Sequence, residues 1–286
     1  MVSQSSPRDT KGSAPTGTKE YHVFVNILLA FLLQILFTIG VIALGGFLIA
    51  LCNRFFYANF GENARGVCYV TGALGTPVHE LSHALFCLIF AHKIDEIQLF
   101  QINSEDGTLG YVSHSYNPKN IYQRIGNFFI GIAPIVVISG LLFLVAWLLM
   151  PNTVRIMVAR ISHISMRGGI GNVFTSYFSA MGAFFQAVTN YRWWIFILVG
   201  AFFALHMTLS GADIKGALSG LLLVVALFLI ADVVLGLIGT DVLDAFTRAI
   251  LIGGLFLSVI LSVSLVINVI LLLVSLLYRA IASKVR

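Results

Sequence analysis

His79-Glu80-Leu81-Ser82-His83 carries the clearest chemical signal in the chain. On a helix, residues four apart share a face, so both imidazoles can bind one ion. The glutamate beside the first histidine is then within reach of that ion's water. This pattern predicts a zinc hydrolase. His79 and His83 are ligands to one Zn2+ per chain, and Glu80 is the general base on a water whose pKa zinc lowers to about 7. The chain has seven histidines and five glutamates in 286 residues, so about 0.003 such motifs are expected by chance. Pro77, two residues upstream, frees backbone groups beside the motif.

A catalytic zinc site needs a third protein ligand. The glutamates are Glu20, Glu62, Glu80, Glu96 and Glu105, so a C-terminal glutamate ligand is excluded. The extended metzincin pattern also fails, because Phe86 and Ile89 stand where its Gly and His belong. Asp213, Asp232, Asp241, Asp244 and the other histidines remain. Asp213 is the favoured ligand. It lies in HMTLSGADIKGALSG, where Gly211 can open the helix. His206 is the rival, seven residues earlier and about 10 Å away on an ideal helix. Both can ligate only if the backbone unwinds at Ser210-Gly211. With Asp213 as ligand, His206 is left to support the site or to donate a hydrogen bond to a developing oxyanion.

The elements that must position these residues are membrane helices. Hydrophobic residues make up 58% of the chain and charged residues 10%, against about 25% charged in soluble domains. Mean hydropathy is +0.95. This excludes a soluble globular enzyme and a disordered chain. The net charge of +5 is scattered, which excludes a nucleic-acid partner and leaves the lipid bilayer. Cys52, Cys68 and Cys87 form neither a disulfide framework nor a C-x-x-C pair.

Apolar runs predict six spans, at 23–52, 66–91, 125–150, 193–212, 216–239 and 249–278. Residues 168–191 are uncharged but polar, and can span, re-enter or lie on the membrane. Arg155, Arg160 and Arg167 before them are spaced as on an interfacial amphipathic helix, which favours the last two. Residues 1–21 read as a disordered tail, and 22–286 as one integral membrane domain with its core at 66–220. With both termini cytoplasmic, ten of the 17 Lys and Arg lie inside.

The fold class is therefore an all-α polytopic membrane protein with one small β-hairpin. HKIDEIQLFQI and TLGYVSHSY alternate around Asp106-Gly107 and predict that hairpin between the second and third spans. Residues around Ile97, Leu99, Gly107 and Gly110 are its candidate substrate contacts. His114 is expected to be exposed, and His92 and His22 interfacial. His163 belongs to the amphipathic stretch. Trp193 and Trp194 beside Arg192 read as an interface anchor, and Asp232 as a helix-pairing residue bonded to Lys215 or a hydroxyl.

The chain resembles the site-2 proteases, the intramembrane zinc metalloproteases. TPVHELSHALFCLIFAHKIDEIQLF is similar to that family's motif helix and first strand, and GTLGYVSHSY to its Gly-containing second strand. GIAP at 131–134 stands where a Gly-Pro pair begins the next helix. HMTLSGADIKGALSG takes the place of the motif bearing the Asp ligand, with Ala212-Asp213-Ile214 for Leu-Asp-Gly. The likeness covers 66–220 and implies an intramembrane endopeptidase. Its partner would be a membrane-protein substrate helix that unwinds and pairs with the hairpin edge. The alternative is a non-proteolytic protein of the same fold that binds a partner or acts as a chaperone. A transporter is disfavoured because no inverted repeat is visible. The sequence leaves the oligomeric state open.

Overall fold

In a computed structural model of the chain, residues 16–102, 104, 107–162 and 169–285 are described. Helix α1 (Thr16–Ile35) runs through a π turn (Leu36–Gly40) into α2 (Val41–Ala58). The last residues of the expected tail therefore belong to α1, and 1–15 lie outside the described residues. Helix α3 (Ala64–Ile89) carries the motif. Strands β1 (Lys93–Gln98) and β2 (Tyr111–Ser115) follow, then α4 (Ile121–Leu149), α5 (Pro151–Ser162), α6 (Gly169–Gln186), α7 (Tyr191–Ala204), α8 (Gly211–Ile238) and α9 (Thr240–Val285).

Among the described residues, four helical segments are long and apolar enough to cross a membrane: 21–58, 121–149, 211–238 and 240–284. A fifth exists if α6 and α7, bent by 110° at a short break, form one span. Six spans are therefore not confirmed. Helix α3, with 26 residues, is about 39 Å long. It falls outside the apolar set because its own motif residues dilute its hydropathy. Long apolar helices suit a multi-pass membrane protein, and their exposure agrees. Helix α8 is apolar on all faces, yet Leu222 is 80% and Leu237 77% exposed, as expected of side chains that meet lipid.

Helix α4 is the buried centre. Its far half packs with α7, α9 and α6 in a core built on Ile138, Leu142, Phe184 and Phe196. Its near half packs on α8 through Phe128, Ile132, Ala217 and Val224. A Cβ on Gly131 would meet the Asp213 carbonyl oxygen, and would lie 2.7 Å from the Ala217 nitrogen. Backbone therefore lies directly on backbone where α4 crosses the first turn of α8.

Helix α5 behaves as an amphipathic element. It turns Val154 and Ile161 inward and leaves Arg155 exposed. Arg160 donates to the Ser179 carbonyl of α6. His163 and Arg167 fall outside the described residues. Of the expected anchor pair, Trp194 is exposed, whereas Trp193 is buried against Phe184. Asp232 is fully buried. It accepts a hydrogen bond from Gln34 Nε2 at 2.8 Å, and the same nitrogen donates to Thr247 Oγ1 at 3.0 Å. The helix-pairing partner is thus an amide on α1, not Lys215.

Strands β1 and β2 pair antiparallel, Lys93 with Ser115 through Gln98 with Tyr111, and a bulge falls between Ile94 and Glu96. The expected hairpin forms with shorter strands. Its connection is long because the chain folds back on itself, with Gln101 N donating to Leu109 O at 2.7 Å. Asn103, Glu105 and Asp106 are outside the described residues, so the Asp106 part of the expected turn is too. Gly107, at φ 78°, takes the left-handed conformation that favours glycine.

Candidate metal centre

Helix α3 brings the two histidines onto one face, and their Nε2 atoms lie 3.2 Å apart. Asp213 joins them from the first turn of α8, with Oδ1 3.1 Å from His83 Nε2 and Oδ2 3.7 Å from His79 Nε2. The three residues can each offer one ligand atom within 4.8 Å of the others. Two imidazole nitrogens and one carboxylate are the donor set of a catalytic zinc site, with the fourth position left for water or substrate.

Each ligand is fixed by backbone that the fold leaves unpaired. Pro134 has no N–H, so the Ile130 carbonyl four residues earlier loses its helical donor. His83 Nδ1 fills that vacancy, donating to Ile130 O at 2.8 Å. Helix α7 stops at Ala204, so the carbonyls beyond it also lack helical partners. His79 Nδ1 donates to His206 O at 2.8 Å. Both histidines are thereby set as Nδ1–H tautomers, with Nε2 free to ligate.

The neighbouring carbonyls at this break are also capped by side chains. Asn53 donates to Leu205 O at 2.7 Å and Asn268 to Ala204 O at 3.3 Å. The chain resumes at Ser210, whose side chain caps α8. Ser210 Oγ accepts from Asp213 N at 3.2 Å, and Asp213 Oδ2 accepts from Ser210 N at 2.7 Å. This reciprocal capping box holds the carboxylate in place.

The backbone does unwind between α7 and α8, as joint ligation by His206 and Asp213 would require. The His206 ring nevertheless points away from the centre. It lies 3.2 Å from Thr71 Oγ1 and 3.4 Å from Thr76 Oγ1. It packs flat on α3, where a Cβ on Gly75 would come 2.6 Å from His206 Cγ. His206 supports the site through its carbonyl, and its ring is not placed to reach an oxyanion.

Glu80 is 6% exposed and lines a cleft of about 390 Å³ together with His79, His83 and Asp213. The opposite wall is Thr108, Gly110–Val112 and His114. Gly110 closes over the glutamate, since a Cβ there would lie 2.9 Å from Glu80 Cγ. Of the candidate hairpin contacts, Gly110 reaches the cleft. Ile97, Leu99 and Gly107 are not among its lining residues. The expectation of an exposed His114 is corrected. His114 is half-buried in the cleft wall, and His92 is 4% exposed behind it. His22 is exposed on α1.

Asn127 was not singled out from the sequence. It sits on α4, 5% exposed, and its side chain faces the cleft without a hydrogen bond to a described residue. Its signal was an asparagine at the start of a long apolar run.

Residues 72–181 match a protein-family model described as "Putative zincin peptidase". The match includes His79, Glu80 and His83 and ends before Asp213. No curated protein and no solved structure matches the chain. The family match, together with a three-ligand cluster built on its motif, supports a zinc metallopeptidase with zinc as its metal.

Proposed function

We propose that this protein is an intramembrane zinc endopeptidase of the site-2 protease type, cutting transmembrane or juxtamembrane segments of membrane-protein substrates. One observation carries the reading. His79, His83 and Asp213 converge beside Glu80 in a cleft between α3 and two helices, α4 and α8, that are long and apolar enough to cross a membrane. An ionisable cluster in such a setting is costly and is retained for function.

Zinc held by His79 Nε2, His83 Nε2 and an Asp213 oxygen would supply Lewis acidity and a water of near-neutral pKa. Glu80 takes the proton of the attacking water and delivers it to the leaving amine. The Asn127 amide offers an N–H to the carbonyl under attack. Beyond Tyr111, the β2 backbone offers an edge on which an unwound substrate segment can lie extended. The Lys and Arg bias supports cytoplasmic termini.

The test is zinc content and hydrolysis in purified protein. Wild type is expected to hold one zinc per chain, Glu80→Gln to keep it without cleavage, and Asp213→Ala to lose it. Cleavage that persists in Glu80→Gln refutes the mechanism. A zinc-free wild type after reconstitution refutes the peptidase reading and favours a non-catalytic, partner-binding protein.

A further inference from the structure

A second pair of histidines lies behind the hairpin wall, and its hydrogen bonds determine where its protons are. Helix α3 ends in a left-handed turn at Ala91, φ 56°, which throws His92 inward beneath β2. Its Nε2 is 2.8 Å from the Gln123 carbonyl of α4. A carbonyl only accepts, so Nε2 carries the proton. In the neutral ring Nδ1 is then a bare acceptor. Nδ1 lies 3.0 Å from His114 Nδ1, so His114 is the donor. The neutral His114 ring therefore carries its free lone pair on Nε2, at the end turned away from His92.

This arrangement is tightly built. His92 stacks on Tyr116 at 5.1 Å and 17°. Gln123 Nε2 donates to Ala91 O at 2.5 Å, which ties the turn to α4. Gly126 admits the ring, since a Cβ there would lie 3.1 Å from His92 Nε2. His114 pairs with Ile94 beside the bulge, a device that re-aims side chains. It shares a strand face with Val112, and both line the cleft with Glu80.

We propose that His114 is a substrate-binding residue, presenting Nε2 as the acceptor for a backbone N–H of an extended peptide lying along β2. This rests on the peptidase reading of the same cleft. The carboxylates of Glu80 and Asp213 in the same cleft are committed by that reading to water and metal. A strand-paired peptide turns alternate N–H groups to one side, and His114 supplies an acceptor where β2 has a side chain to offer. Burial, with His92 and His83 nearby, holds the His114 pKa below its ordinary value, which keeps Nε2 unprotonated at neutral pH.

Two measurements on the zinc-loaded full chain test this. The first is ¹⁵N NMR of histidine-labelled wild type, with His114 assigned from His114→Gln. A protonated Nδ1 and bare Nε2 are expected, and an Nε2–H tautomer overturns the proposal. The second compares acetohydroxamate with a tetrapeptide hydroxamate by calorimetry. Acetohydroxamate is expected to bind wild type and His114→Phe alike. The peptide hydroxamate is expected to bind His114→Phe about three- to tenfold more weakly, as for one lost hydrogen bond, with His114→Gln recovering part of the loss. Equal peptide affinity across the three proteins overturns the inference but leaves the zinc centre standing. Failure of both hydroxamates to bind wild type overturns the peptidase reading and this proposal together.

Discussion

Gly131→Ala isolates the contact that delivers the third ligand. The added methyl would lie 2.7 Å from the Ala217 nitrogen and 2.8 Å from the Ala217 Cβ, and would overlap the Asp213 carbonyl oxygen. Ordinary contact needs about 3.5 Å, so the first turn of α8 must retreat by roughly 0.8 Å or more. The Asp213 carboxylate, fixed to that turn by its capping box, moves with it. Zinc–ligand distances tolerate about 0.2 Å. We therefore expect zinc affinity to fall at least as far as when a ligand's support is removed, about 10- to 100-fold. The overpacked crossing should also cost about 1–3 kcal/mol. The assay is zinc competition against a fluorescent chelator, alongside thermal unfolding in the same detergent. Gly140→Ala is the control, because nothing lies within 4 Å of a Cβ built there. It should leave zinc affinity unchanged. Wild-type zinc affinity in Gly131→Ala would refute the claim that this crossing positions Asp213.

Further outcomes follow from the same geometry. Pro134→Ala supplies a new amide N–H that competes for the Ile130 carbonyl, so His83 is held less firmly and zinc affinity should fall about tenfold or more; unchanged affinity by chelator competition counts against that role. His206→Ala keeps the carbonyl that orients His79 but loses the ring packed on Gly75, so zinc stoichiometry should persist while stability drops by about 1–3 kcal/mol; elemental analysis showing loss of zinc would make the ring a ligand after all. His114 has a folded pKa below its unfolded value of about 6.5. Its stabilising contribution is therefore complete above that pH and is lost as pH falls through the lower folded value. Hydrogen-exchange protection of the β2 amides should weaken on acidification, and His114→Gln should flatten the response.

The sequence was most legible where chemistry constrains residue type and spacing together. His79, Glu80 and His83 needed only helical periodicity, and Asp213 was favoured among the aspartates left after the glutamates because Gly211 can open the helix beside it. Elsewhere, tertiary structure decided. Six spans are not confirmed, because the motif lowers the apolarity of its own helix and because α6 and α7 meet at a sharp bend. His206 was the rival ligand or a supporting residue, and it supports His79 through its carbonyl, which leaves no trace in residue identity. His114 was taken for an exposed group because its partner, His92, is held in turn by Gln123 of α4, a packing that strand alternation does not reveal. Asp232 was correctly read as a helix-pairing residue, but its partner Gln34 is 198 positions away.

The break between α7 and α8 also bears on how the protein is made. Its last carbonyls are capped from three directions, by Asn53 of α2, His79 of α3 and Asn268 of α9. In hydrocarbon an uncapped carbonyl costs several kcal/mol. Ala204 O also accepts from Met207 N at 3.4 Å, and Asn268 leaves the ribosome 55 residues after Asp213, so a nascent chain can hold the three candidate ligands while Ala204 O rests on that long backbone bond alone. At roughly 5–20 residues per second, that interval lasts some seconds. The last of the three caps at this break is thus added only when α9 inserts.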